Sequence, residues 1–97
     1  MKNTTINGLD LNRLGTSDIY SLSLVLNWIS GHGNLVEIQN IGYNENSGNI
    51  YAVFCDGDTI FSSFGQPVQF ETYDNENDEV LELTEKDFIT RNTIQSI

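Results

Sequence analysis

Apolar positions change period once along the chain. Ile19, Leu22, Leu26 and Ile29 recur at spacings of three and four, as on one face of a helix. Thr16, Ser17 and Asp18 place capping oxygens and an acid at its start, and Gly31 and Gly33 supply the stop, so the pattern predicts a helix over about 17–30. Tyr20, Leu24, Val25 and Trp28 widen its apolar surface to nearly the whole circumference. Such a helix should pack on a sheet and also against the N-terminal arm or a partner.

From Leu35 the chain reads as short apolar or alternating runs between turn residues, which is the period of strands. Strands are predicted over 35–43, 49–55, 59–64, 68–73 and 80–83. Asn44 to Gly48, Asp56-Gly57-Asp58, Gly65-Gln66-Pro67 and the acidic loop 74–79 separate them. The single proline stands at the start of the fourth strand, where a missing donor is tolerated. Thr84-Glu85-Lys86-Asp87 resembles a capping box with Asp in place of Glu, opening a second helix to about Asn92 anchored by Phe88 and Ile89. Residues 1–15 are polar apart from Leu9, Leu11 and Leu14, and read as an arm that docks by those leucines.

The predicted fold is α+β: one small domain over 1–97 with an N-terminal helix, an antiparallel meander of four to five strands and a short C-terminal helix, the helices covering one sheet face. Hydrophobic content of 38% and aromatic content of 10% are too high for a disordered acidic tail. Neither a signal-type apolar segment nor an apolar run of membrane-spanning length occurs, and the lone Cys55 excludes an internal disulfide. A cytoplasmic protein is expected.

Charge alters this otherwise ordinary picture. Fourteen acids against four bases give a net charge of −10. Residues 1–55 carry only −2, whereas 56–87 carry −9 through Asp56, Asp58, Glu71, Asp74, Glu76, Asp78, Glu79, Glu82, Glu85 and Asp87 against Lys86. Such a surface repels nucleic acid and anionic membranes and attracts a basic protein. Four acids in the six residues 74–79, if extended, give roughly one charge per 5 Å, against one per about 1.7 Å of duplex DNA. Imitation of nucleic acid therefore needs several segments acting together, such as Glu45 and the Asp56/Asp58 turn with the loop.

Motifs for chemistry are weak. Asp74, Glu76, Asp78 and Glu85 have superficial calcium-loop spacing, but Glu79 stands where that loop needs glycine and the flanks read as strands. Asp56 and Asp58 are explained by a hairpin turn better than by magnesium. Cys55 reads as core and His32, between two glycines, as a solvated loop residue, so the pair is a poor nucleophile and base. Trp28 reads as core. No cofactor or metal is expected.

These features favour a non-catalytic inhibitor that binds the nucleic-acid-binding surface of a basic protein through Asp56, Asp58, Glu71, Tyr73, Asp74, Glu76, Asp78, Glu79 and Glu82. In size and charge the chain is similar to the small inhibitors with which phages and mobile elements block CRISPR or restriction nucleases. The alternative is an immunity or antitoxin-like protein neutralising a basic toxic enzyme. The apolar first helix leaves room for a homodimer.

Overall fold

A computed structural model describes residues 5–6, 9–54 and 57–94. A short ribbon of β1 (Thr5–Ile6) and β2 (Leu9–Asp10) leads through a 3-10 turn (Leu11–Arg13) into α1 (Thr16–Ser30). Five strands follow, β3 (Asn40–Asn44), β4 (Asn49–Val53), β5 (Thr59–Ser63), β6 (Gln69–Asp74) and β7 (Glu79–Leu83), then α2 (Glu85–Asn92). The strands lie side by side in chain order, each antiparallel to the next. The architecture is the predicted α+β meander with a helix at either end.

Both helix starts follow from local polar groups. Asp18 at the third position of α1 reaches back, and its Oδ2 accepts the Gly15 N–H at 3.0 Å. The helix thus begins at Thr16, one residue before the expected start, with Gly15 as the cap. Thr84 caps α2 as predicted, its hydroxyl accepting the Asp87 N–H at 3.1 Å.

One face of the sheet holds the core. Ile41, Ile50, Ala52, Ile60 and Phe70 point to it from the strands, Leu22 and Val25 from α1, Phe88 from α2, and Leu9 from the N-terminal ribbon. Leu11 and Leu14 pack against the same cluster, so the three leucines dock the arm. Phe88 is fully buried between Phe54 and Phe70 at centroid distances of 5.2 and 5.0 Å. Burial of a side chain of that size contributes roughly 1.5–3 kcal/mol.

Two expectations need correction. The run 35–43 is not one strand, because β3 begins only at Asn40. Leu35 makes an isolated bridge to Thr93, while Val36 donates to the Asn92 carbonyl and Ile94 to the Asn34 carbonyl, both at 2.7 Å. Leu35, Val36 and Ile38 are apolar because they pack on the core from a connecting segment. Nor is α1 enclosed all round, since Ile19, Tyr20 and Leu26 are exposed.

An acidic hairpin at the sheet edge

In a meander, successive turns alternate between the two ends of the sheet. The β3–β4 and β5–β6 turns share one end, and the β4–β5 and β6–β7 turns share the other. Glu45 therefore lies at the end opposite the 74–79 loop, and it is engaged by Arg13. Its expected addition to the charge of that loop does not occur.

Seven of the predicted binding residues, Glu71, Tyr73, Asp74, Glu76, Asp78, Glu79 and Glu82, come together on the β6–β7 hairpin. β5 begins at Thr59, opposite Glu71, so the tip of the hairpin extends beyond the first residue of β5. Within the hairpin, Glu71 stands directly opposite Glu82, and Asp74 opposite Glu79. Like charges at directly opposed positions destabilise a strand pair. Asp56 and Cys55 lie outside the described residues.

The turn itself has a clear local cause. The Asp74 carboxylate accepts the Glu76 and Asn77 N–H groups and the Asn77 side-chain amide at 3.0, 3.4 and 2.7 Å. The Asn77 side-chain hydrogen bond, then those from the backbone, hold its pKa below the usual value against the opposing effect of burial. Asp78 takes the left-handed conformation, φ +53°, that closes the loop. The β3–β4 turn has the same plan. Asn44 Oδ1 accepts the Asn46 and Ser47 N–H groups, and Gly48 supplies the positive φ of +76°. Neutral residues there build what charged ones build at 74–79.

Asp58 differs from its predicted role. It is 2% exposed and belongs to the interior of the same end of the sheet. Arg91 Nε and Nη2 donate to its two oxygens at 2.7 and 2.9 Å, with Thr72 Oγ1 at 2.7 Å and Asn92 Nδ2 at 3.0 Å completing the set. Burial, the largest single influence, pushes its pKa up. The hydrogen bonds and charge of these partners together outweigh burial and bring the pKa below its usual value. A charged, fully satisfied carboxylate ties the β4–β5 turn to β6 and α2, and is not offered to a partner.

Glu71 is in a different setting. Alternation along the strands places Tyr51, Val53, Thr59, Phe61, Glu71, Tyr73, Val80 and Glu82 on the face opposite the core, while α1 packs over β4 and β5 and α2 over β6 from the core side. Burial in this apolar setting raises the Glu71 pKa. Neither Glu71 nor Glu82 has a hydrogen bond or ion pair among the described residues.

Elsewhere, chemistry-bearing groups have structural uses. His32 is half-buried, not solvated, stacking on Trp28 at 4.0 Å with its Nδ1 2.7 Å from the Trp28 carbonyl. Trp28 packs against Phe70 and Phe88, and its Nε1 donates to Glu85 at 2.6 Å. Glu85 is thus at the start of α2, away from the Asp74 turn. Among the described residues no three His, Cys, Asp or Glu side chains are placed to hold a metal ion. At the other end, a cleft of about 470 Å³ is bounded by Asp10, Arg13, Tyr43 and Glu45. Burial and the neighbouring Asp18 carboxylate raise the Tyr43 pKa. No helix among the described residues is long and apolar enough to cross a membrane.

Sequence reasoning missed Arg91, Thr72 and Asn92 as partners of Asp58, and the aromatic setting of Glu71. The period-2 alternation of Phe61 and of Tyr73 could have revealed the second. No family model, curated protein or solved structure matches the chain.

Proposed function

We propose that this chain is a non-catalytic binding protein that docks its β6–β7 hairpin on a basic surface of another protein and so denies that surface to nucleic acid. The observation that carries this reading is the pair of like turns. Asn44 and Gly48 show that the backbone requires neither charge nor a strained residue, yet the second turn concentrates Asp74, Glu76, Asp78 and Glu79.

Strand pairing also changes the density argument. Glu71, Asp74, Glu76, Asp78, Glu79 and Glu82 fall within one hairpin arm of about 17 Å, or roughly one charge per 3 Å of its length, shared between its two faces. A single nucleic-acid strand carries one per about 3.4 Å. The hairpin reaches that spacing through its two paired strands, without Glu45 or Asp58. Mutual repulsion within it would be relieved by a cationic groove.

A nuclease of the CRISPR or restriction type is the partner class this chemistry suits. The test is capture of the partner from the native host, followed by its nucleic-acid binding with and without this protein. Inhibition that weakens steeply with salt, and is lost when Asp74 and Asp78 become Asn and Glu76 and Glu79 become Gln, is the expected result. Undiminished, salt-independent inhibition by that variant would overturn the reading.

A further inference from the structure

The bare sheet face extends the acidic hairpin into a more specific feature. Val53, Thr59, Glu71 and Glu82 form one row across four strands, fixed by the register Val53↔Thr59, Thr59↔Glu71 and Glu71↔Glu82. Phe61 belongs to the next row on one side, through Phe61↔Gln69, and Tyr73 with Val80 to the next row on the other. Tyr51, Val53, Phe61 and Glu71 line a groove of about 260 Å³ on this face, with Glu82 and Tyr73 outside its lining. Two carboxylates thus stand side by side with an aromatic ring on either side of their row.

Among the described residues, no cation pairs with them. Arg13 engages Glu45, Arg91 engages Asp58, Lys86 lies on α2, and Lys2 is outside the described residues. We infer that this face seats an arginine side chain of the partner protein, its guanidinium bridging Glu71 and Glu82 and lying against Phe61 and Tyr73. The inference rests on the hairpin-docking reading and adds the residue type that is recognised.

Charge complementarity selects the occupant. A second copy of this chain would bring another Glu71 and Glu82 to the same face and a further net charge of −10 to the pair. A basic partner neutralises the opposed pair. Arginine suits the site better than lysine because its planar fork can hydrogen-bond both carboxylates while its face stacks on a ring. The raised Glu71 pKa reflects a carboxylate partly removed from water.

The experiment needs no natural partner. N-acetyl-arginine amide and N-acetyl-lysine amide are titrated into the full chain at low salt, with amide and side-chain NMR shifts as the readout. Two variants of equal charge are compared, Glu71→Gln with Glu82→Gln, and Glu76→Gln with Asp78→Asn. The expected result is arginine-selective perturbation centred on Phe61, Glu71, Tyr73 and Glu82. The first variant should weaken it about tenfold and the second less than about twofold. Shifts centred on the 74–79 turn, equal weakening by both variants, or no arginine response would each overturn the clamp. The hairpin-docking proposal would still stand on its own inhibition assay. Sedimentation showing a dimer closed through this face would also overturn it, by identifying a second copy as the occupant.

Discussion

The β3–β4 and β6–β7 hairpins share one turn design and differ in nearly everything attached to it. Each opens with an Asn or Asp whose side-chain oxygen accepts two backbone N–H groups, and each closes with a residue at positive φ. The first hairpin carries one acid, Glu45, paired on the surface with Arg13. The second carries six exposed or half-exposed acids, and its first strand is fastened from within at Thr72 by Asp58 and Arg91. Turn formation explains the backbone of both and the charge of neither. The comparison separates what folding requires from what is surplus to it.

The two arginine pairs offer the sharpest way to break this comparison. Replacing Asp58 by Ala leaves buried Asn92 and Thr72 groups without their acceptor, and should cost about 3 kcal/mol in urea unfolding. Arg13→Ala should cost less than about 1 kcal/mol, because both members of its pair are exposed. The sign with pH follows from the depressed pKa of Asp58. Its contribution is fully present above the usual value of 3.8 and is lost as pH falls through the lower folded-state value. Asp58→Asn should remove that acid limb from the stability profile.

Exchanging the closing residues of the turns gives a smaller effect. Gly48→Asp places a side chain at φ +76° and a Cβ 2.6 Å from the end of the Phe64 ring, which is exposed and can move. A loss of about 1–2 kcal/mol is expected in thermal unfolding. Asp78→Gly should stabilise by about 0.5 kcal/mol, since Asp tolerates the left-handed region better than most residues.

Neutralising the surplus should matter least to the fold. Asp74→Asn keeps the turn acceptor, and with Glu76→Gln and Glu79→Gln should change stability by less than about 0.5 kcal/mol per site while abolishing inhibition of the captured partner. Glu71→Gln should raise stability slightly at neutral pH. Its folded-state pKa lies above the usual 4.5, so the penalty is present above that folded value and disappears as pH falls to 4.5 and below. A urea series across pH 3–7 reads the opposite signs of Asp58 and Glu71 in one experiment.

Most of this framework is legible along the chain, since the turns between successive strands are announced by their residue types. Helix caps are local too, and their residues place both helix starts to within one position. Apart from His32, which stacks on Trp28 only four residues earlier, the main failures are non-local. Leu35, Val36 and Ile38 imitate a strand because packing on a core and pairing in a sheet both select apolar residues. Asp58 follows a glycine and reads as a turn acid, whereas its burial depends on Arg91, 33 positions later. The hairpin acids are neighbours along the sequence, but nothing in their spacing shows that Glu71 faces Glu82 across a strand pair.

Docking of α2 has a consequence for the order of folding. Glu85 reaches Trp28 across 57 positions, Arg91 and Asn92 reach Asp58, and residues 92–94 pair with 34–36. These contacts join the exit of the first helix to the exit of the last and enclose the meander between them. Contacts of such long sequence separation form slowly. A nascent chain that ends at β7 holds Asp58 with neither of its α2 donors. The carboxylate can complete its partners only when the last helix arrives, so closure is expected as a late step, which Trp28 fluorescence would time.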